Sequence, residues 1–177
     1  MMTRTRLLPM ATAMCALLGS VAQAQTPTAP AVPPAPQPAA RGPALDLSLE
    51  AAQNALETCT ARQQKIAVTV IDSAGVLKVL LASDGASPRG VQSSTNKAVT
   101  ALNFKSATSQ LGEKAKADKE LADKIAANPS FNSRAGGVLL KVGDEIIGAI
   151  GVGGARGSDV DELCAQAGID KVLARLK

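Results

Sequence analysis

The sequence predicts an α+β domain in which two hairpins form an antiparallel sheet and N- and C-terminal helices pack on it. Three observations carry that prediction. Two pairs of β-branched or aliphatic runs are each interrupted by a two-residue turn, Ala74-Gly75 in the first and Gly143-Asp144 in the second. Segments with apolar residues at three- and four-residue spacing stand before the first hairpin and after the second. The resulting order, helix, hairpin, two helices, hairpin, helix, selects an antiparallel sheet covered by helices over a parallel βαβ arrangement.

In chain order, residues 1–24 read as a secretory signal. Arg4 and Arg6 precede an apolar stretch at 10–18, and Ala22-Gln23-Ala24 forms a small-x-small cleavage site. The stretch is about half the roughly 20 residues needed to span a bilayer. Cys15 lies inside it and not after a small-residue box, so neither a membrane anchor nor lipidation is expected. The expected address is the periplasm or the exterior, after cleavage near Ala24. Residues 25–44 hold seven of the ten prolines and read as a Pro/Ala-rich disordered linker, because proline lacks the N–H donor and favours extended conformers. Residues 45–177 have the length of one domain and show no internal repeat.

Within the domain, Ser48 is placed to cap a helix carrying Leu49, Ala52, Leu56 and Cys59 on one face. Residues 65–73 and 76–84 form the first hairpin. Ser93 or Ser94 is then expected to cap a helix to about Ala107, and 111–127 to form a charged helix stopped by Asn128-Pro129. The second hairpin occupies 136–154. The last long helix opens at Ser158 with Asp161 at the capping-box position and Val160, Leu163, Cys164 and Ala167 on one face. Gly168 is expected to interrupt it before a short final helix at 170–177.

Composition narrows the chemistry. The chain has no His, and its four Met residues all lie within 1–24, so the mature form has neither. It also lacks Trp and Tyr and keeps only Phe104 and Phe131 as aromatics. Loss of Arg4 and Arg6 lowers Lys plus Arg from 19 to 17 against 15 acidic residues, which points away from a nucleic-acid partner. Ser-His-Asp and Cys-His catalysis are excluded, and there is no paired-cysteine redox motif.

The run Val70-Ile71-Asp72-Ser73-Ala74-Gly75, the segment Lys97-Ala98-Val99-Thr100-Ala101, and the pair Gly136-Gly137 ahead of a strand form an ordered set. It continues in Gly148-Ala149-Ile150-Gly151-Val152-Gly153-Gly154-Ala155, leading into Asp161-Glu162-Leu163-Cys164-Ala165-Gln166-Ala167-Gly168. Together these resemble the GlcG/HbpS family, often labelled haem-binding proteins, over essentially all of the mature domain. The resemblance implies a profilin-like fold, homo-oligomeric assembly, and a small-molecule or haem-binding role. An exported chain matures in an oxidising compartment, where Cys59 and Cys164 are expected to form a disulfide. Both lie on apolar faces of the first and last long helices, which the implied fold sets side by side. The alternative is two separate buried thiols packed as small hydrophobes. Haem iron is held through His, thiolate, Met or Tyr, so once the cysteines pair no strong side-chain ligand remains. Contact through a hydroxyl or Lys, or by porphyrin packing, stays open.

The candidate ligand residues are Lys97, Arg134, Gly136, Gly137, Gly153, Gly154 and Arg156. The Gly-rich loop 151–157 leads into a helix N-terminus, which favours an anion, although Arg156 stands where a dinucleotide fingerprint needs its third glycine. Close backbone packing explains the same glycines. Arg134 and Arg156 suit a carboxylate or phosphate, or serve as solvated surface charges. Lys97, at the family's Lys-Ala-x-Thr-Ala position, suits an anionic ligand if buried, or a surface ion pair. Asp159, Asp161 and Glu162 read as a carboxylate cluster or as the ordinary acidic first turn of a helix. The leading function is an exported small-molecule-binding module for haem or an anionic organic ligand. The alternatives are an enzyme acting on a small organic acid through Lys97 and the Gly-rich loop, and a structural or assembly domain.

Overall fold

The structure, a computed structural model, describes residues 40–177. The signal at 1–24 and the linker as far as residue 39 lie outside the described residues. The last part of the proline-rich stretch is tied to the domain, since the Ser73 N–H donates to the Arg41 carbonyl at 3.1 Å and Arg41 pairs with Glu145.

The first helix, α1 (Leu45–Thr60), begins before Ser48. Ala44 takes the N-cap position, and Ser48 lies buried inside the helix, its hydroxyl donating to the Ala44 carbonyl at 3.0 Å. Strands β1 (Ala67–Asp72) and β2 (Leu77–Ala82) form the first hairpin, and β3 (Gly137–Val142) and β4 (Glu145–Gly153) the second. Both turns fall where the sequence places them. The sheet order is β2-β1-β4-β3, antiparallel throughout, with the hairpins joined by register pairs such as Val68 with Val152 and Val70 with Ile150.

Alternation of side chains puts two different layers on the sheet. Val68, Val70, Ile150 and Val152 face α1 and the last helix, α5 (Ser158–Val172), and close a core with Ala51, Ala55, Cys59, Cys164 and Ile169. Each fully buried aliphatic side chain there contributes about 1.5–3 kcal/mol. Ile71 and Ala149 point the other way, onto Ala98 and Ala101 of α2 (Pro88–Phe104). The expected disulfide is present, joining α1 to α5 with Cα atoms 5.7 Å apart.

Further expectations are corrected. Helix α2 starts at Pro88, not at Ser93 or Ser94, because Ser87 is the N-cap and accepts from the Gly90 N–H at 3.0 Å. Ser94 is buried instead and shares a hydrogen bond with Thr69 at 2.8 Å. The single charged helix at 111–127 is two, α3 (Thr108–Ala117) and α4 (Lys119–Ala126). Asp118 is extended between them, and its carboxylate accepts from the Leu121 N–H at 3.0 Å, so it restarts the chain as a new N-cap. Gly168 does not interrupt α5, which runs to Val172 and ends in the 3-10 turn Leu173–Arg175 in place of a final helix. A Cβ at Gly168 would overlap the Ala51 carbonyl, so this glycine is the point where α1 and α5 touch by backbone. The buried face of α5 is Asp161, Cys164, Ala165, Gly168 and Ile169, while Leu163 is exposed.

The seat of α2 on the sheet decides the site. Gly137, Gly151 and Gly153 lie under it, and added Cβ atoms would overlap the Lys97 carbonyl at 137 and the Ser94 carbonyl at 151. At 153 a Cβ would come within 2.7 Å of the Gly90 carbonyl. With no side chains between, the helix backbone rests on the strands.

Candidate functional site

Close seating of α2 carries Lys97 to the end of β4, where the strand leaves the sheet. Its Nζ donates to the Val152 carbonyl at 3.0 Å and to Asp161 Oδ2 at 2.6 Å. Lys97 is 1% and Asp161 3% exposed, so the ion pair is out of water and joins α2 on one face of the sheet to α5 on the other. The second carboxylate oxygen of Asp161 accepts from the Ala155 N–H at 3.0 Å, which fixes the loop after β4. Gly136 covers the pair at φ 123°, and a Cβ there would come within 2.8 Å of both Nζ and Asp161. No side-chain-bearing residue fits that position.

Burial acts against both charges. Desolvation holds the Lys97 ammonium below its ordinary range, opposed by the Asp161 charge and hydrogen bond and reinforced by Arg134. Desolvation likewise pushes the Asp161 carboxyl up, opposed by Lys97, the Ala155 N–H and Arg134. An ammonium has three protons, and among the described residues two acceptors lie within hydrogen-bond distance of Nζ.

Lys97 and Asp161 line a cavity of about 370 Å³. The N-terminal end of α2 contributes Ser87, Arg89 and Ser93, the segment before β3 contributes Asn132 and Arg134, and the loop before α5 contributes Gly154, Arg156 and Ser158. Asn132 organises one wall, its amide donating to Ser93 Oγ at 3.0 Å while its Oδ1 accepts from the Arg134 N–H at 3.1 Å. On another wall, the Arg156 N–H donates to Gln64 Oε1 at 3.0 Å. The ionisable lining is therefore Arg89, Lys97, Arg134 and Arg156 against Asp161 alone. Asp161 is matched by Lys97, and the three arginines form no ion pair among the described residues.

Of the residues singled out by sequence, the structure brings Lys97, Arg134, Gly154 and Arg156 to this one cavity. Gly136, Gly137 and Gly153 sit behind it as packing positions. Ser87, Arg89, Ser93, Asn132, Ser158 and Asp161 were missed as lining residues. The carboxylate-cluster reading does not hold, since the three acids diverge: Asp161 turns in to Lys97, Glu162 accepts from the Gly136 N–H at 3.2 Å, and Asp159 is exposed. Among the described residues no group of three His, Cys, Asp or Glu converges to hold a metal. No described helix is long and apolar enough to cross a membrane.

Comparison with known proteins agrees with this architecture. Residues 44–170 match the family described as haem degrading protein HbpS-like. The crystal structure of HbpS superposes with a TM-score of 0.68 at 29% identity, covering 81% of this chain and 97% of that one. The Klebsiella pneumoniae protein ORFY superposes with a TM-score of 0.70 at 22% identity, over 83% of this chain and 99% of that one. PduOC, in a structure described as a complex with haem, gives 0.70 at 20% identity, over 77% and 97%. The latter two share the fold. No curated protein matches the chain by sequence.

Proposed function

The chain belongs to the HbpS-like family, described as haem degrading proteins, and on that premise we propose that its mature form is an exported module that binds an anionic small molecule in the Lys97 cavity. The observation that carries this reading is the charge imbalance: three arginines without acidic partners among the described residues surround a cavity whose one carboxylate is already matched. Guanidinium groups hold carboxylates and phosphates through paired N–H donors, while Lys97, its charge matched by Asp161, fixes the base of the cavity. A volume of about 370 Å³ falls near the lower end of the roughly 300–1,000 Å³ usual for small-molecule sites. Export rests on the signal pattern at 1–24, and a paired Cys59 and Cys164 suit an oxidising compartment.

Haem, the group the family implies, fits this chain through its propionates and not through its iron. Both cysteines are consumed in the disulfide, the mature chain has no His, Met or Tyr, and the Lys97 ammonium is held by Val152 and Asp161. Arg134 and Arg156 match propionate carboxylates. Homo-oligomeric assembly is part of the proposal, supported by family membership and by the edge strand β2, whose Leu77 and Leu80 remain 54% and 38% exposed.

Native mass spectrometry of the protein purified from its exported compartment, with calorimetric titration of succinate and inorganic phosphate, tests the reading. A retained acid, or saturable anion binding that Arg134→Ala and Arg156→Ala each weaken several-fold, is the expected result. Absence of a retained ligand together with no anion binding overturns it.

A further inference from the structure

A second and larger cavity, about 620 Å³, lies at the opposite end of α2. Its lining has a different character. Ile71 of β1, Val99 and Leu102 of α2, and Ile146 of β4 supply apolar surface, and the first hairpin turn supplies Ser73, Ala74 and Gly75. Asp72 holds that turn, its Oδ1 accepting from the N–H groups of Ala74 and Val76 at 2.9 Å each. The wall is therefore braced from within. The ionisable lining groups are Lys105 and Asp144, one of each sign. Charge cancels here, where the Lys97 cavity keeps an excess of arginine.

Lys105 ends α2 in the left-handed region, at φ 50° and ψ 38°, with its N–H returned to the last carbonyls of the helix. Glycine holds that conformation without strain and is the usual residue there, whereas a side chain costs stability. The chain nevertheless carries a lysine at this position, and its side chain lines the cavity. Asn103 is exposed beside it, its amide nitrogen donating to the Val99 carbonyl at 2.8 Å, which leaves the amide oxygen as an acceptor for a ligand.

We propose that this cavity is a second ligand site, separate from the anion site, for a small uncharged molecule with an apolar body. Ile71, Val99, Leu102 and Ile146 cover the body, and Asn103, Ser73 and Lys105 hydrogen-bond its polar edge. The experiment is a fluorescence titration of the mature chain with the uncharged dye Nile red, with circular dichroism and a thermal melt on every variant. Wild type binds one dye per chain saturably. Asn103→Trp, which fills the cavity from an exposed position, weakens binding at least tenfold. Lys105→Gly raises the melting temperature by relaxing the backbone yet weakens the dye several-fold, a split that a merely structural lysine does not produce. Arg134→Ala and Arg156→Ala leave Nile red binding unchanged. Unsaturable binding, or indifference to Asn103→Trp, overturns the proposal.

Discussion

Lys97 Nζ and Asp161 Oδ2 lie 2.6 Å apart, buried, and connect helices on opposite faces of the sheet. Removing one partner leaves the other charge unpaired out of water, which costs about 3–5 kcal/mol, whereas replacing both by apolar groups is often close to neutral. Asp161→Ala is therefore expected to destabilise by that amount, and Lys97→Met combined with Asp161→Leu to recover most of the loss. Urea unfolding of Lys97→Met, Asp161→Leu and the double variant measures the coupling.

Gly151 faces the backbone of α2. Its Cβ would overlap the Ser94 carbonyl, so Gly151→Ala must lift the helix off the sheet. Overpacking of this kind costs about 1–3 kcal/mol, and the shift also displaces Lys97. Gly143, in the β3–β4 turn, has nothing within 4 Å of an added Cβ but sits at φ 58°, so Gly143→Asn is expected to cost only the backbone strain of a left-handed residue, about 1 kcal/mol or less because asparagine tolerates that region, and to leave Lys97 in place. Thermal melts of both variants compare them directly.

The Cys59–Cys164 bridge spans 105 positions. In the chain-entropy view, closing a loop of about 100 residues stabilises by roughly 4–5 kcal/mol as an upper figure. Reduction, Cys59→Ala and Cys164→Ala are each expected to lower the melting temperature by many degrees, and the two substitutions together to cost little more than either alone. Scanning calorimetry with and without reductant gives the comparison.

Haemin added to the mature chain is expected to give no sharp Soret shift of the kind His or thiolate ligation produces, since the described site offers neither. Any binding follows the arginines, falling with added salt and with Arg134→Ala. Absorbance titration at two ionic strengths distinguishes the cases, and a stoichiometric, salt-independent Soret shift contradicts the expectation.

Both hairpins, the outer helices and the disulfide were legible because period-two runs, turn residues and paired cysteines are local or countable signals. The start of α2 was misplaced although the sequence carries its mark: Ser87 followed by Pro88 is an N-cap followed by a proline at the first helical position, a stronger signal than Ser93 or Ser94. The break at Asp118 was harder, since an acid inside a charged helix carries no mark of its role. Lys97 was recognised, but its partner lies 64 positions away, and Asp161 in the first turn of α5 has the same appearance whether it caps, faces solvent or turns inward. Register separates these cases. The buried face of α5 runs through Asp161 and not through Leu163, and that one-residue rotation sends the carboxylate to the lysine. The arginines Arg89, Arg134 and Arg156 converge from three separate segments, which no spacing along the chain records.

The Cys59–Cys164 bridge also governs what a protease can do to this molecule. Every strand of the sheet, and the three helices between its two hairpins, lies between the bridged positions. A single cut anywhere in that interval, for instance in the exposed segment around Ser130, therefore leaves both fragments covalently joined. The nicked form migrates as one band without reductant and as two with it. With the bridge closed, the chain thus keeps its pieces together after a first cleavage, and loses one only after a second cut or the opening of the bridge.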